Sequence, residues 1–219
     1  MLRTHRSTPL LLAAIVALGA CATGPSAGVR ALGDQPAFAQ GSGHDGSEDS
    51  DPVILDLADD HAPFFNQSVS FWAKAGSNAE GAIYFQDDRG RQGNRYARLK
   101  LSGRSLLSYP DGRPFAKGDS ILITMTVDPS NRMLFEMEPT GLRFSSDRMA
   151  ELRIDYSEAN PDYNHDGVVD AVDAGIKALL AIWVQEASEP FLKLGSVNFP
   201  EIDELVARIN GFSRFAIAY

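Results

Sequence analysis

Cysteine is nearly absent: Cys21 is the only one in 219 residues. No intramolecular disulfide can form, so the folded chain must be stabilised by packing, hydrogen bonds or a bound ion. Histidine is scarce too. Of four histidines, only His61 and His165 lie beyond the first fifty residues, so a Ser-His-Asp arrangement would have to recruit His61. Positive charge is in deficit, with 20 Lys and Arg against 29 Asp and Glu, a net charge of −9 and a pI near 4.9. This argues against nucleic acid as a partner, because phosphate contacts need a basic face. The one long apolar run, Leu10 to Leu18, is too short to cross a bilayer. No dinucleotide-binding glycine pattern, phosphate loop or repeat period occurs.

What the N-terminus does contain is ordered. Arg3 and Arg6 precede the apolar run, and small residues follow it; this is the layout of a secretory signal. The stretch Leu18-Gly19-Ala20-Cys21 resembles the lipobox of bacterial lipoproteins. The resemblance implies a signal peptide over 1–20, lipidation of Cys21 and a membrane partner reached through the lipid anchor. Ala22 in place of aspartate implies the outer membrane, facing either the periplasm or the cell surface. Residues 21–52 are rich in Gly, Ala, Ser and acids, without apolar period, and read as a flexible tether.

From residue 53 to 219 the chain changes to short alternating runs divided by turn residues: SVSFWAKAG, GAIYFQ, RYARLKL, DSILITMTVD, RMLFEMEP and AELRIDYS. Period-two segments of this length predict a mainly β protein, an antiparallel β-sandwich. In SVSFWAKAG, Val69, Phe71 and Ala73 alternate with Ser70, Trp72 and Lys74, which predicts one buried and one solvated face. The segments ITMTV, PTGLRF and AELRIDY, with Phe212-Ser213-Arg214-Phe215-Ala216 near the C-terminus, are similar to the ZU-type β-sandwich of zonula occludens proteins, netrin receptors and ankyrins. That resemblance covers roughly 68–219 and implies an interaction module rather than an enzyme.

Between AELRIDYS and LAIWVQE the pattern is interrupted, at about 160–179, by PDYNHDGVVDAVDAG. Counting twelve residues from Asp162 puts Asp162, Asn164, Asp166, Asp170 and Asp173 first, third, fifth, ninth and twelfth, with Gly167 sixth and Val168 seventh. Calcium takes six to eight oxygens, and this spacing supplies them as an EF-hand loop does: alternate side chains, the Val168 carbonyl, a turn at Gly167, and Asp170 directly or through water. The expected ligands to one Ca2+ are Asp162, Asn164, Asp166, Val168, Asp170 and Asp173. Val169, at the eighth place, is expected to tuck into the core and His165 to point outward. Aspartate at the twelfth place, where glutamate is usual, makes the loop resemble that of dockerins, which dock on cohesins. A dockerin needs two such loops and this chain has one, so the resemblance covers half a module. Val172, Ile176, Leu179, Leu180 and Trp183 follow at helical spacing and predict an exiting helix, with LAIWVQE as the start of the next strand.

Two further clusters invite alternatives. Arg89, Arg91, Arg95, Arg98 and Lys100 surround Tyr96 and form either a patch for anionic glycan or lipid headgroups or a solvated hairpin face. Asp59-Asp60-His61 is either an acid-base or metal group or a polar turn. The functional expectation is a lipid-anchored, non-enzymatic envelope protein whose loop binds one calcium ion, with a protein or glycan partner of the envelope. The alternatives are a calcium-dependent docking module, and an envelope hydrolase using paired carboxylates.

Overall fold

The computed structural model describes residues 51–219; the leader, Cys21 and nearly all of the tether lie outside the described residues. Thirteen strands and one α-helix follow in order: β1 (Ser68–Lys74), β2 (Ala79–Gln86), β3 (Gln92–Leu101), β4 (Leu106–Ser108), β5 (Ser120–Val127), β6 (Leu134–Glu138), β7 (Arg143–Phe144), β8 (Ala150–Asp155), α1 (Ala171–Leu179), β9 (Ala181–Gln185), β10 (Leu192–Lys193), β11 (Ser196–Phe199), β12 (Glu204–Ile209) and β13 (Arg214–Ala218).

Two antiparallel sheets are built from them. One has the order β1-β5-β6-β13-β9-β10, the other β11-β12-β8-β3-β2, and β4 pairs with β7 in a small third sheet. The fold is the mainly β, sandwich-like architecture that the alternation predicts. In β1 the alternation plays out as expected: Ala73 is buried, while Trp72 is 66% exposed and faces Leu122 across the ladder. Serine and threonine hydroxyls pair along the same wet face, Ser70 with Thr124 at 2.8 Å and Ser68 with Thr126 at 3.0 Å.

Between the sheets, Ile83, Phe85, Tyr96 and Leu99 from one side meet Ile123, Met125, Phe135 and Phe215 from the other, all essentially inaccessible to water. Burying an aliphatic or aromatic side chain of this size contributes about 1.5–3 kcal/mol, so this layer is the main source of stability. Aromatic rings fill its centre: Phe64 stacks on Phe85 at 4.8 Å, and Tyr96 meets both edge-on. Gly81 of β2 is required by this packing, because a Cβ there would lie 2.2 Å from the Phe71 ring.

Ahead of β1, an extended strap over 53–57 seals the sheet. Leu55 N–H donates to Ile217 O at 3.0 Å and Leu55 O accepts from Met133 N–H at 2.8 Å. Val53 and Tyr219 exchange both backbone bonds at 3.3 Å. Leu55 and Leu57 enter the main core, while Ile54 joins Leu134, Ala216 and Ala218 in a smaller cluster on the other face of the sheet. The strap, the end of β8, the start of β12 and the start of β9 all lie at one end of the sandwich, and α1 leads directly into β9.

Candidate metal centre

β8 ends at Asp155, and the chain turns through Ser157 to Asn160 before the acidic loop. The loop base is tied to the strap: Asn160 N–H donates to Asp56 O at 2.9 Å and Ala58 N–H to Glu158 O at 2.9 Å. Beyond it, Asp162 accepts from Asp166 N–H at 3.1 Å and from Gly167 N–H at 2.8 Å. Asn164 Oδ1 accepts from Asp166 N–H at 3.1 Å, and its amide donates to Asp166 Oδ2 at 2.9 Å. Asp166 Oδ1 accepts from Val168 N–H at 2.9 Å. The first, third and fifth positions are therefore knotted together by a backbone that curls around them. Gly167 allows the curl: its φ is +86°, with open space where a Cβ would stand, so conformation rather than room selects glycine there.

Asp170 is the N-cap of α1, accepting from Val172 N–H at 2.7 Å, and Asp173 answers by accepting from Asp170 N–H at 2.9 Å. This reciprocal arrangement is a capping box with aspartate in place of glutamate. Asp173 also reaches back across the loop, accepting from Tyr163 N–H at 2.7 Å and Asn164 N–H at 3.3 Å. Only 2% of its surface is exposed. These backbone donors, Asp170 N–H first, hold its carboxyl below the ordinary aspartate range despite burial. Its negative charge adds to burial and to Asp203 in pushing the Tyr163 hydroxyl up to about 12.

The loop and helix are fastened to the sandwich by polar contacts. Tyr219 Oη donates to Tyr163 O at 2.8 Å, Asn198 Nδ2 donates to Lys177 O at 2.7 Å, and Lys177 pairs with Asp203 at 2.6 Å. Tyr163 and Leu180 bracket the insertion as buried plugs.

One expectation for this segment is corrected. Val169 does not tuck into the core: it is 62% exposed, beside Val168 at 58%. The exiting helix ends at Leu179, and Trp183 lies in β9, within the strand expected at LAIWVQE. Val172 and Leu179, on the helical stripe, are exposed. His165 points outward as expected, with Nε2 4.0 Å from Asp56.

The oxygens that calcium would need are all on this loop, yet their side chains now serve backbone N–H groups. Among the described residues, no three or more His, Cys, Asp or Glu side chains converge as a metal cluster. The donor chemistry fits a hard cation nonetheless: the set is oxygen only, and each carboxylate oxygen retains lone-pair capacity beyond the N–H bonds it accepts. Asp173 stands apart, since its present work is to close the loop.

The arginine-rich stretch is spread out. Arg91 pairs with Asp87 at 2.8 Å, Arg95 with Glu204 at 3.4 Å, and Arg98 lies between Glu80 at 3.8 Å and Glu151 at 3.6 Å. Arg89 is exposed in the β2–β3 turn, and Lys100 lies at the other end of β3. His61 faces the strap and core, with Nδ1 2.8 Å from Ala62 O, Nε2 3.1 Å from Asn131 Oδ1 and its ring 6.0 Å from that of Phe64.

Sequence reasoning missed the strap, whose alternation is too short to register as a strand, and the dual role of Asp173, for which the capping-box spacing from Asp170 was the available signal. Compared with protein-family models, characterised proteins and solved structures, the chain finds no match in any of the three.

Proposed function

We propose that the chain is a lipid-anchored domain of the cell envelope that acts by binding rather than by catalysis, and that its inserted loop holds one calcium ion. The observation that carries this reading is the curl of the loop from Asp162 to Gly167, with Asp162 and Asn164 both accepting from Asp166 N–H while the Asp166 carboxylate accepts from the Asn164 amide and Val168 N–H. Asp162, Asn164, Asp166, the Val168 carbonyl, Asp170 and Asp173 would hold the ion. Calcium would supply the positive charge that four neighbouring aspartates otherwise lack. The chain's own contribution is preorganisation: Asp173 closes the loop, Asp170 starts α1, and Tyr219 and Lys177 lock both onto the sandwich. The resemblance to ZU-type sandwiches supports an architectural or binding role for the remainder.

Titration calorimetry of the full chain with calcium tests this. Saturable heat at one ion per chain, lost in Asp166→Ala, is expected; no heat would overturn it.

A second reading, calcium-dependent docking of a partner protein, is favoured by one feature. The outward face of α1, comprising Ala171, Val172, Ala174, Gly175, Ala178 and Leu179, is exposed and carries no charge, and Val168 and Val169 extend it. Helices that face only water normally carry charged residues there. Leu179→Asp would abolish such docking while leaving the calcium heat unchanged.

A further inference from the structure

At the end of the sandwich away from the acidic loop, where β3 and β12 finish and β8 begins, there is a cleft of about 720 Å³. Its size falls within the range of small-molecule sites. Cross-strand register lines up Arg208, Glu151 and Lys100 on neighbouring strands. Arg148, from the 3₁₀ turn Ser146–Arg148, comes in from above. Three cations from three elements thus meet in a chain whose net charge is −9.

Their charges are differently committed. Glu151 is shared among Arg153 at 2.9 Å, Arg208 at 3.0 Å and Arg98 at 3.6 Å. This surplus of guanidinium, the hydrogen bond from Arg153 first, holds the Glu151 carboxyl below its ordinary range. Lys100 and Arg148 make no ion pair among the described residues. Lys100, Arg148 and Arg208 against Asp147 and Glu151 leave one positive charge on the lining. That suits a carboxylate better than a doubly charged phosphate.

The remaining surface is mixed. Ser102, Ser146 and Asn78 bring hydroxyl and amide groups to the rim, while Met149 and Leu194 give an apolar floor. A sugar ring presents this combination, with hydroxyls around its edge and C–H groups on its face. The acids of the strap, the loop and the start of β12, among them Asp56, Asp162, Asp166 and Asp203, lie at the opposite end of the sandwich.

We propose that this cleft binds an acidic saccharide: Lys100 and Arg148 take the carboxylate, Arg208 is held in place by Glu151, and the ring lies over Met149 and Leu194. The site is separate from the calcium loop and does not depend on it.

The test is an NMR titration of the full lipidated chain, in detergent micelles, with a trimer of galacturonic acid. Neutral maltotriose and inorganic phosphate serve as the other probes, each repeated with a calcium chelator. Expected are amide shifts confined to the neighbourhoods of Lys100, Ser102, Arg148 and Arg208, saturating by about 10 mM and weakened about tenfold in both Arg148→Ala and Lys100→Ala. Arg104→Ala, an exposed cation outside the lining, should leave the affinity unchanged, as should chelation. Absence of shifts, equal shifts with maltotriose, equal affinity for phosphate, or indifference to both cleft variants would each overturn the proposal.

Discussion

Removing calcium should lower the melting temperature by an amount that can be worked out beforehand. Extracellular-type loops bind calcium with Kd of about 10⁻⁴–10⁻³ M. A ligand that binds only the folded state stabilises it by RT ln(1 + [L]/Kd), so about 10 mM calcium contributes roughly 1.4–2.7 kcal/mol. For a domain of this size each kcal/mol moves the melt by about 2–4 °C, giving a shift of roughly 3–10 °C. The structure adds a discriminating control. Asp166 is an exposed loop residue whose partners are Asn164 and Val168 N–H, so Asp166→Ala should remove the calcium increment with little change in chelator. Asp173 is buried and closes the loop by backbone bonds, so Asp173→Ala should lower the melt with or without calcium. Scanning fluorimetry of the wild type and both variants, in calcium, in magnesium at matched ionic strength and in chelator, is sufficient. An identical melt in calcium and chelator would refute the reasoning. So would an Asp173→Ala variant that behaves like Asp166→Ala.

Other outcomes follow from the core and the carboxylates. Gly81→Ala should cost about 1–3 kcal/mol by urea denaturation, because the added methyl meets the Phe71 ring. The Tyr96 hydroxyl is fully buried without a hydrogen-bond partner among the described residues, so Tyr96→Phe should raise stability by about 1 kcal/mol in the same assay; a loss would show that the hydroxyl is satisfied. Asp128, Glu151 and Asp173 are depressed when folded. Their stabilisation is therefore complete above their unfolded values, near pH 4, and lost as pH falls through the folded ones. Asp155 and Glu186 are raised by burial and act oppositely, weakening the fold near neutrality and relieving it as they protonate. Melting temperature against pH should accordingly hold or rise slightly from pH 7 toward 5 and collapse below about 4.

The strands were legible because their faces differ: a residue such as Phe135 has one environment and Glu136 the other, and period two records it. The acidic loop was legible because Asp162, Asn164 and Asp166 alternate up to Gly167, and the backbone curls so that their side chains share one side. Val169 was misread because its place was inferred from its position in the twelve-residue loop alone, and the fold supplies no apolar neighbour there to cover it. The helical spacing runs on from Leu179 to Trp183 without a polar break, so the point where α1 gives way to the strand expected at LAIWVQE left no mark in the pattern. The cleft at the far end was illegible: Lys100, Arg148 and Arg208 are distant in sequence and meet only through the pairing of β3, β8 and β12.

The strap has a mechanical consequence. Tension arriving along the N-terminal side of the chain would reach residues 53–57 first. Val53 and Leu55 are bonded to Tyr219 and Ile217 in the middle of the larger sheet, with Met133 N–H clasping Leu55 from the other side. A pull along the strap's length loads these bonds together, in shear, before any strand can peel. Once the strap gives way, the Asp56 carbonyl leaves Asn160 and the loop base loses its support. The domain therefore has a defined first point of yielding under load, and it lies beside the acidic loop.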